Sequence, residues 1–587
     1  MDAANRNTAL ASAFVEELAR CGVRHAVVSP GSRSTPLALA LWRAPAIGVT
    51  VVVDERSGGF AALGMAQASR MPVAVLCTSG TAASNLHPAV SEANESAVPL
   101  VVLTADRPPE LRGIGAGQTI DQLKLYGSEV RWFCEVGAQD ADDAGLIHLR
   151  SVACRAFAAA WGEPRPGPVH LNLPWREPLG DTPAEGEVTA GSAPALRGRG
   201  ERPLTAVAGG APAPDAGLLD ELAERLAAAP RGLIVAGRQL DPALGEAAAA
   251  LAGASGYPIL AEPTSQVRFG PHDRAMVVSA YEPNAIARPR ELEPELVVRV
   301  GEMPTCKPLR GWLGELEELR QVVIDPSYAW NEPTRRAETI VRGDGVAVLH
   351  ELTARLGTRG QRGPWAESWL GASEAAEAAL DGALETEELS EPAVQRALAA
   401  AYADGDLVYT ASSMPIRDQE AYAMGTGADV RFLANRGANG IDGLVSSGIG
   451  AAIASGRPTW ILTGDLGLFH DLSSLALLAG SEAPVRLIVF DNGGGGIFEF
   501  LPQSGEVARE EFEALFGTAT GLRPERAAAM WDLPHRRLER PSDIGGTPAA
   551  PELVEVSVDR RNGPALRSAL MRAAADAAAR SVSSARE

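Results

Sequence analysis

Cysteine is scarce in this 587-residue chain: five copies, at positions 21, 77, 134, 154 and 306, are scattered and form no C-x-x-C pair. This pattern argues against a disulfide framework and against a cysteine-based zinc site. The eight histidines also lack metal-ligand spacing. We therefore expect a cytoplasmic protein with reduced thiols, most of them small residues of the core.

Long apolar segments and excess positive charge are also lacking. No segment reaches the roughly 18 consecutive apolar residues that suggest a membrane span, and the N-terminus has no basic region followed by a long apolar one, so it does not resemble a signal peptide. The 53 Lys and Arg residues against 74 Asp and Glu residues give a formal net charge of −21. This charge argues against general binding to nucleic acid or membrane surfaces, but it leaves room for a local basic pocket.

The chain is too long for one hydrophobic core, so several domains are expected. Two segments, Asp181–Pro203 and Gly357–Glu388, are interpreted as linkers because they are rich in Gly, Ala and charge. They separate three predicted domains, residues 1–183, 204–356 and 389–587. Near the start, Leu10, Phe14 and Leu18 recur at helical spacing and predict an amphipathic first helix.

Each predicted domain alternates short β-branched segments with longer segments rich in Ala and Leu. The predicted strands are His25–Ser29, Thr50–Asp54, Val73–Thr78 and Leu100–Thr104, then Gly232–Ala236, Glu295–Val300 and Gln321–Ile324, then Leu407–Thr410, Thr459–Thr463 and Arg486–Phe490. Nearly continuous apolar strands that alternate with helices indicate parallel sheets covered by helices on both faces. We expect an α/β fold in which the three domains are versions of one architecture.

Polar, charged and Gly-rich segments follow the predicted strands of the first and third domains. They lie at 29–33, 55–59, 79–81 and 106–108 in the first domain, and at 412–417, 464–467 and 491–496 in the third. Ligands of open parallel sheets bind beyond the carboxyl ends of the strands. The pattern therefore predicts ligand sites in both domains.

The strongest candidate for a metal site is a pair in the third domain. Asp465 follows one predicted strand and Asn492 follows the next, 27 residues later, which is the length of one strand–helix–strand step. A carboxylate and an amide oxygen at neighbouring strand ends suit Mg²⁺, and the glycines after Asn492 permit close approach of the backbone to phosphate. Taken alone, the pair is equally compatible with a helix cap and a turn residue.

These residues resemble a known pattern. GDLG at 464–467 with DNGGGG at 491–496 is similar to the thiamine-diphosphate fingerprint, a GDG with an NN further along the chain, and departs from it at Leu466 and Asp491. The metal-binding pair that the resemblance implies, Asp465 and Asn492, is intact, and Gly494 would add a backbone carbonyl. The implied cofactors are thiamine diphosphate and Mg²⁺ or Mn²⁺.

A second resemblance is narrower. The segments SPGSRSTPLALAL, DERSGGFAALGMA, TSGTAASNLHPAVSEA, LTADRPPELRGIGAGQTIDQ, SSMPIRD, NRGANGIDG and GDLGLFHDLSSLALL are together similar to the SEPHCHC synthases of the menaquinone pathway. The similarity is thinner in the second domain, where VGEMPTCKPLRGW carries it. It implies a pyruvate-oxidase- or decarboxylase-like architecture, with an N-terminal pyrimidine-binding domain, a central Rossmann-like domain and a C-terminal diphosphate- and metal-binding domain. The implied reaction decarboxylates 2-oxoglutarate and adds the resulting succinyl-semialdehyde carbanion to isochorismate.

Glu55 is the candidate catalytic residue. By the resemblance it corresponds to the glutamate that hydrogen-bonds N1′ of the cofactor aminopyrimidine, which the family places across a subunit interface from the diphosphate site. The implied assembly is a homodimer or a dimer of dimers. On its own, a single Glu after a strand is more often a surface carboxylate or a charge at a helix start.

Both implied substrates are dicarboxylates, which Arg binds with a bidentate fork. Four arginines lie at or near predicted strand ends of this acidic chain, whereas a single Arg is ordinarily a solvated surface charge. The resemblance gives a substrate site of Ser32, Arg33, Arg107, Gln118, Lys307, Arg417 and Arg436. At Lys307 some family members carry Lys-Arg, whereas this chain has Pro308 next and Arg310 beyond it.

The remaining candidates carry alternatives. Ser413 would contact the cofactor or first substrate, or cap a strand end; Ile441 would support the bent cofactor, or belong to the core. Ile497, Phe498 and Leu501 would form a wall of the pocket. The amides of Ser79-Gly80-Thr81 could bind an anion or only start a helix. Gly113-x-Gly115-x-Gly117 and Gly448-x-Gly450 lack a strand–turn–helix setting, so we reject a dinucleotide site.

Two rival functions stay open at this point. One is another thiamine-diphosphate decarboxylase or carboligase, similar to acetolactate synthase; the SRSTPL and ADRPPEL segments favour the first interpretation. The other is a non-catalytic sensor that binds the cofactor or an end product, which the intact Glu55, Asp465 and Asn492 argue against. The central domain could also hold a regulatory ligand.

Overall fold

Three six-stranded sheets form the framework of the molecule. The structure, a computed structural model, describes residues 3–162, 165–208, 213–327, 329–357, 363–385 and 388–584. Within these ranges the chain divides into two compact units. The first contains residues up to 208 with Asn435–Gly456 and His470–Ser481, and the second contains the remainder.

The first sheet belongs to the first unit, and the other two belong to the second unit. All pairings are parallel. The strands of the first sheet are β1 (His25–Val28), β2 (Gly48–Val51), β3 (Val73–Cys77), β4 (Leu100–Asp106), β5 (Trp132–Glu135) and β6 (Pro168–Pro174). The second sheet has β7 (Gly232–Ala236), β8 (Ile259–Ala261), β9 (Val277–Val278), β10 (Leu296–Val300), β11 (Arg320–Ile324) and β12 (Ala337–Val341). The third has β13 (Leu407–Thr410), β14 (Arg431–Leu433), β15 (Thr459–Gly464), β16 (Val485–Asp491), β17 (His535–Arg537) and β18 (Glu552–Ser557).

Helices follow most strands. Up to residue 261 they are α1 (Arg6–Cys21), α2 (Thr35–Arg43), α3 (Glu55–Ser69), α4 (Thr81–Asn85), α5 (His87–Glu95), α6 (Asp143–Trp161), α7 (Ala193–Arg197), α8 (Ala216–Ala228) and α9 (Leu244–Ser255). Up to residue 455 they are α10 (Glu282–Ala287), α11 (Lys307–Glu315), α12 (Gly345–Leu356), α13 (Pro364–Leu384), α14 (Glu391–Ala401), α15 (Met414–Tyr422) and α16 (Leu444–Ser455). The last are α17 (Asp465–His470), α18 (Ser474–Ala479), α19 (Gln503–Glu506), α20 (Arg509–Phe512), α21 (Pro524–Ala529) and α22 (Gly563–Ser584).

The strand order distinguishes the middle sheet from its two neighbours in the chain. The first sheet has the order β2-β1-β3-β4-β6-β5 and the third has β14-β13-β15-β16-β18-β17, which is the same order. The second sheet runs β12-β11-β10-β7-β8-β9, the doubly wound order of the Rossmann fold. The expectation of parallel α/β sheets is confirmed, but the three are not copies of one topology.

Both faces of each central strand are buried, as the nearly continuous apolar strands predict. In β3, Ala74 and Leu76 belong to one hydrophobic cluster, and Val73, Val75 and Cys77 belong to another. This alternation places the two clusters on opposite faces of the first sheet. Helices therefore cover the sheet on both sides, and polar groups have access to ligands mainly at the strand ends.

The first helix follows its sequence signals. Asn5 caps α1 by accepting the Thr8 amide, and Thr8 returns the bond in a capping box. Phe14 and Leu18 are buried, and the helix ends at Gly22, whose φ of 121° disfavours a side chain.

Residues 357–388, interpreted from sequence as a linker, contain the 21-residue helix α13. Trp369 is fully buried on this helix and packs near Trp312. The helix therefore has an apolar face, which its acidic, Ala-rich composition did not indicate. Residues 358–362 and 386–387 of that segment lie outside the described part of the chain. Among the described residues, no helix is both long and apolar enough to cross a membrane.

Candidate active site

Asp465 and Asn492 lie at the ends of two paired strands in the second unit. Gly464 at the end of β15 pairs with Phe490 near the end of β16. Asp465 is the first residue of α17, and Asn492 directly follows β16. The parallel pairing therefore brings both side chains to one edge of the third sheet.

The Asp465 carboxylate is buried, with 4% of the residue exposed. It accepts the backbone N–H groups of Leu466 and Gly494, and burial raises its pKa to about 7, with Asp491 adding to the effect. The Leu466 contact agrees with a capping role, but the Gly494 contact connects Asp465 to the loop after Asn492. A carboxylate that is desolvated in this way is stabilised by a nearby cation.

The Asn492 amide has one satisfied end and one unsatisfied end. Its Nδ2 donates to Oε1 of Glu391 over 2.9 Å, whereas its buried Oδ1 has no hydrogen-bond partner among the described residues. A Cβ at Gly496 would lie 2.5 Å from Nδ2, so glycine there leaves room for the amide. An unsatisfied buried acceptor of this kind calls for a donor or a cation.

The loop after Asn492 is held in a conformation that requires glycine. Gly494 has a φ of 132°, and a Cβ there would lie 2.0 Å from the carbonyl oxygen of Gly517. Its own carbonyl accepts the Gly496 amide at 2.8 Å, which leaves a second lone pair. Arg560 donates to the carbonyl of Gly493 and fixes the loop from the other side.

These oxygens fit a hard divalent cation. Asp465, Asn492 and Gly494 offer a carboxylate, an amide and a main-chain carbonyl, a donor set that Mg²⁺ or Mn²⁺ accepts together with phosphate oxygens. Within the described ranges, no cluster of three or more His, Cys, Asp and Glu side chains could hold a metal. The oxygens of Asp465, Asn492 and Gly494 are therefore the candidate metal ligands, and a cofactor at this site has to be compatible with them.

Ser413 and Arg417 follow the first strand of the same sheet. Ser413 has a φ of 75° and a ψ of −134°, a conformation that is strained for a residue with a side chain. Its hydroxyl makes no capping hydrogen bond, so a simple cap does not explain it. Arg417 donates to the Ser413 carbonyl. Strain of this type concentrates at functional sites.

The predicted wall residues lie in the short 3₁₀ segment Gly496–Phe500 and just after it. Ile497, Phe498 and Leu501 are all partly buried. The Phe498 ring lies 5.6 Å from the Phe516 ring, centroid to centroid. These three apolar side chains immediately follow the candidate metal loop, and Glu499 between them forms ion pairs with Arg509 and Arg560.

Lys307 is exposed at the start of α11, in the second unit. It lines a pocket together with Arg288 and Arg310. Pro308 follows this lysine, and Arg310, one turn along the helix, lines the same pocket. This pocket contains none of the strand-end residues described above.

Glu55 is the first residue of α3 in the first unit. Asp54 caps this helix by accepting the amides of Arg56 and Ser57. Glu55 is partly buried, and its carboxylate helps to raise the pKa of the Cys77 thiol, so it lies near the end of β3. No described residue hydrogen-bonds to the Glu55 carboxylate, which leaves it available to a ligand.

A buried aspartate holds the start of α3. Asp471 accepts the Ser57 hydroxyl at 3.0 Å, and the Ser446 amide and hydroxyl at 2.7 and 2.8 Å. Ser473 adds a bond to Asp54 at 2.8 Å. Burial raises the pKa of Asp471 to about 6, while these hydrogen bonds oppose the shift. The network fixes the turn that carries Glu55.

Helices α3 and α16 of the first unit are in backbone contact. A Cβ at Gly64 would lie 1.8 Å from the Ser447 carbonyl oxygen, and a Cβ at Gly450 would lie 2.0 Å from that of Ala61. The Gly448-x-Gly450 segment thus lies inside a helix and serves close packing, in agreement with the rejection of a dinucleotide site.

A basic cluster follows β1 and β4. Arg107 donates to the Ser79 hydroxyl at 2.8 Å and to the Gly117 carbonyl at 3.1 Å. The Gln118 amide donates to the Ser79 carbonyl at 3.1 Å. Burial, together with the nearby Arg107 guanidinium, lowers the pKa of Arg33. Two guanidinium groups this close favour an anion between them.

Arg33 is nearly buried and donates to the Trp175 carbonyl at 2.9 Å, with Glu177 3.3 Å away. Its Nε has no partner among the described residues. Ser32 is exposed beside it, and its carbonyl accepts the Thr35 hydroxyl. The structure thus brings Arg33, Arg107 and Gln118 into one strand-end region.

The loop between β14 and α16 carries Arg436 and Ile441, both partly buried. Partial exposure of Ile441 does not agree with a plain core role. Buried Glu92 accepts the amides of Gly437 and Ala438 at 2.8 and 2.7 Å and holds this loop within the first unit. Sequence reasoning missed Glu92, Glu391 and Asp471, which hold segments of the candidate site; Glu92 and Asp471 lie in segments that it quoted, whereas Glu391 does not.

Comparison with known proteins identifies a family match in the N-terminal part of the chain. The family described as "Thiamine pyrophosphate enzyme, N-terminal TPP binding domain" matches residues 8–125, which include Glu55 and the basic cluster.

Three relatives cover most of the chain, and each is named 2-succinyl-5-enolpyruvyl-6-hydroxy-3-cyclohexene-1-carboxylate synthase. The protein of Myxococcus xanthus (strain DK1622) is 44% identical over 568 residues, 95% of either chain. That of Geobacillus kaustophilus (strain HTA426) is 42% identical over 530 residues, 89% of either chain. That of Chloroflexus aurantiacus is 41% identical over 577 residues, 94% of this chain and 93% of its own.

Proposed function

The chain belongs to the 2-succinyl-5-enolpyruvyl-6-hydroxy-3-cyclohexene-1-carboxylate (SEPHCHC) synthase family, and we propose that it converts 2-oxoglutarate and isochorismate into SEPHCHC in menaquinone biosynthesis. The observation that carries this proposal at the level of geometry is the set of oxygens at Asp465, Asn492 and Gly494. Asp465 and Asn492 lie at the ends of two paired strands, and the buried Oδ1 of Asn492 has no hydrogen-bond partner among the described residues.

We propose that this oxygen set holds Mg²⁺ or Mn²⁺ against the diphosphate of thiamine diphosphate. When bound, the cofactor supplies the electron sink that decarboxylation of a 2-oxoacid requires. Ser413 and Ile441 would contact it, and the apolar segment 497–501 would exclude water from the reacting groups. The strained Ser413 backbone supports this assignment.

Glu55 would act on the cofactor aminopyrimidine. Its carboxylate would accept a hydrogen bond at N1′ and hold a proton there, which favours the tautomer that removes the thiazolium proton. The absence of any described partner for this carboxylate supports the role. The cap by Asp54 and the Asp471 network would fix the position of Glu55.

The basic residues would bind the carboxylates of the two substrates. The Arg107 guanidinium adds to burial in lowering the pKa of Arg33, and a bound dicarboxylate would relieve this repulsion. The full proposed substrate set is Ser32, Arg33, Arg107, Gln118, Lys307, Arg417 and Arg436, with Ile497, Phe498 and Leu501 as apolar contacts. These groups would bind and orient the substrates.

We also propose a cytoplasmic homodimer, or a dimer of dimers, in which Glu55 serves the cofactor of the other subunit. The five cysteines, all of them free thiols, support the compartment. The family resemblance of Glu55 supports the shared site.

Product analysis tests the function. The purified protein is incubated with 2-oxoglutarate and isochorismate, with and without thiamine diphosphate and Mg²⁺, and pyruvate replaces 2-oxoglutarate in a parallel reaction. We expect SEPHCHC only when both substrates and both cofactors are present. Turnover of pyruvate in preference to 2-oxoglutarate would identify a different thiamine-diphosphate enzyme, and no turnover of either would favour a sensor.

A further inference from the structure

Glu391 accepts a hydrogen bond from the amide of Asn492, a ligand of the proposed metal site. It is the first residue of α14, whose N-cap is Ser390. The 2.9 Å bond from Asn492 Nδ2 to Glu391 Oε1 joins residues that are 101 positions apart. The bond therefore depends on the fold and not on a local turn.

A carboxylate can fix the orientation of an amide because an ionised carboxylate only accepts hydrogen bonds. Asn492 donates from Nδ2 to Glu391, so its NH₂ end faces Glu391 and the carbonyl Oδ1 points away from it. This is the atom that has no partner in the described chain. The reversed amide would direct NH₂ toward a cation and set Oδ1 against the carboxylate, so both contacts would be repulsive.

We propose that Glu391 is a positioning residue that presents Asn492 Oδ1 to the divalent cation. This inference rests on the proposed metal site of Asp465, Asn492 and Gly494. Glu391 does not touch the cation; it acts through the amide. Groups that orient metal ligands in this way change metal affinity by about 10- to 100-fold when they are removed.

Four variants test the positioning role of Glu391. Glu391→Leu removes the acceptor and keeps the bulk, whereas Glu391→Gln removes the charge and keeps an acceptor oxygen at the same length. Asp465→Asn tests the metal site itself. Glu367→Leu is the matched control, because Glu367 is also an acidic residue in the first turn of a helix, α13, and is exposed.

The measurement is the dissociation constant of Mn²⁺, from the electron paramagnetic resonance signal of the free ion, at saturating thiamine diphosphate. We expect Glu391→Leu to weaken Mn²⁺ binding about 10- to 100-fold. Glu391→Gln and Glu367→Leu should stay within about 3-fold of the unmodified protein, since both keep an acceptor beside Asn492. Melting temperatures of the metal-free variants identify any loss of fold.

The possible results distinguish failure of the positioning role of Glu391 from failure of the proposed metal site. Mn²⁺ binding that is lost in Asp465→Asn but unchanged in Glu391→Leu would overturn the positioning role and leave the metal site standing. Equal losses in Glu391→Gln and Glu391→Leu would also overturn it, since charge and not the acceptor would then matter. Unchanged binding in Asp465→Asn would refute the proposed metal site.

Discussion

Replacing Gly450 with alanine tests whether the contact between α3 and α16 holds the start of α3 in place. The added Cβ would lie 2.0 Å from the Ala61 carbonyl oxygen, whereas ordinary contact begins at 3.4 Å. The helices would have to separate by about 1.4 Å, the difference between these distances. A gap of that size removes a large part of the dispersion attraction along the interface.

The net effect combines two opposing contributions. Alanine in place of glycine stabilises a helix by about 1 kcal/mol, but overpacking costs about 1–3 kcal/mol and sometimes more. Because both faces at this crossing are backbone, no side chain can move aside, so we expect an overpacking cost at the upper end of that range and a net loss of about 2 kcal/mol. Activity should fall about 100-fold as well, since displacement of a catalytic group by about 1 Å has that effect.

Hydrogen exchange followed by mass spectrometry measures the loss of stability in individual peptides of the chain. A loss of about 2 kcal/mol corresponds to exchange roughly 30-fold faster in peptides from α3 and α16, at 1.4 kcal/mol for each factor of ten. Gly253→Ala is the control, because Gly253 lies in α9 with no atom within 4 Å of a Cβ. It should stabilise its helix by about 0.5–1 kcal/mol. Slower exchange in both variants would refute the backbone-contact argument.

Four further outcomes are expected. Mixing inactive Glu55→Gln and Asp465→Asn proteins should restore roughly a quarter of the activity if subunits exchange and share sites; no recovery would contradict the shared site. Arg107→Ala should impair addition to isochorismate more than decarboxylation, and equal losses of the two rates would count against its assignment. Ser413→Gly should raise the melting temperature by relieving about 1–3 kcal/mol of strain while weakening cofactor binding, and an unchanged melting temperature would argue against strain. Burial raises the pKa of Asp471 in the folded protein to about 6. The stabilisation associated with its protonated form is therefore present below about pH 4 and is lost as the pH rises through 6. Urea unfolding should reveal this pH-dependent component, on the order of 3 kcal/mol, in the unmodified protein but not in Asp471→Asn.

The sequence was sufficient for the central strands because parallel strands are apolar on both faces. The predicted bounds Gly232–Ala236 and Leu407–Thr410 agree with β7 and β13 to the residue. It was insufficient for β18, where Glu552 and Glu555 interrupt the apolar pattern. Their charges are balanced by Arg486 and by residues of β17, and such long-range partners cannot be read from local sequence.

The residues of the candidate site likewise include some that the sequence could predict and some that it could not. Asp465 and Asn492 could be predicted because each directly follows a strand, and strand ends of parallel sheets converge on one edge. Glu391 could not, since nothing near it in the chain indicates that its partner is a metal-ligand candidate. The strain at Ser413 and the orphaned Asn492 oxygen are likewise properties of the folded chain.

The shared strand order of the first and third sheets gives the molecule two equivalent sets of strand-end positions. After the fourth strand in chain order, one sheet carries the guanidinium of Arg107 and the other the amide of Asn492. In the proposed function the first would bind an anion and the second a cation, so the strand order alone does not determine the charge of the ligand. The residue that follows the strand therefore contributes to the choice of ligand, and the loops after equivalent strands are natural units for exchange in redesign.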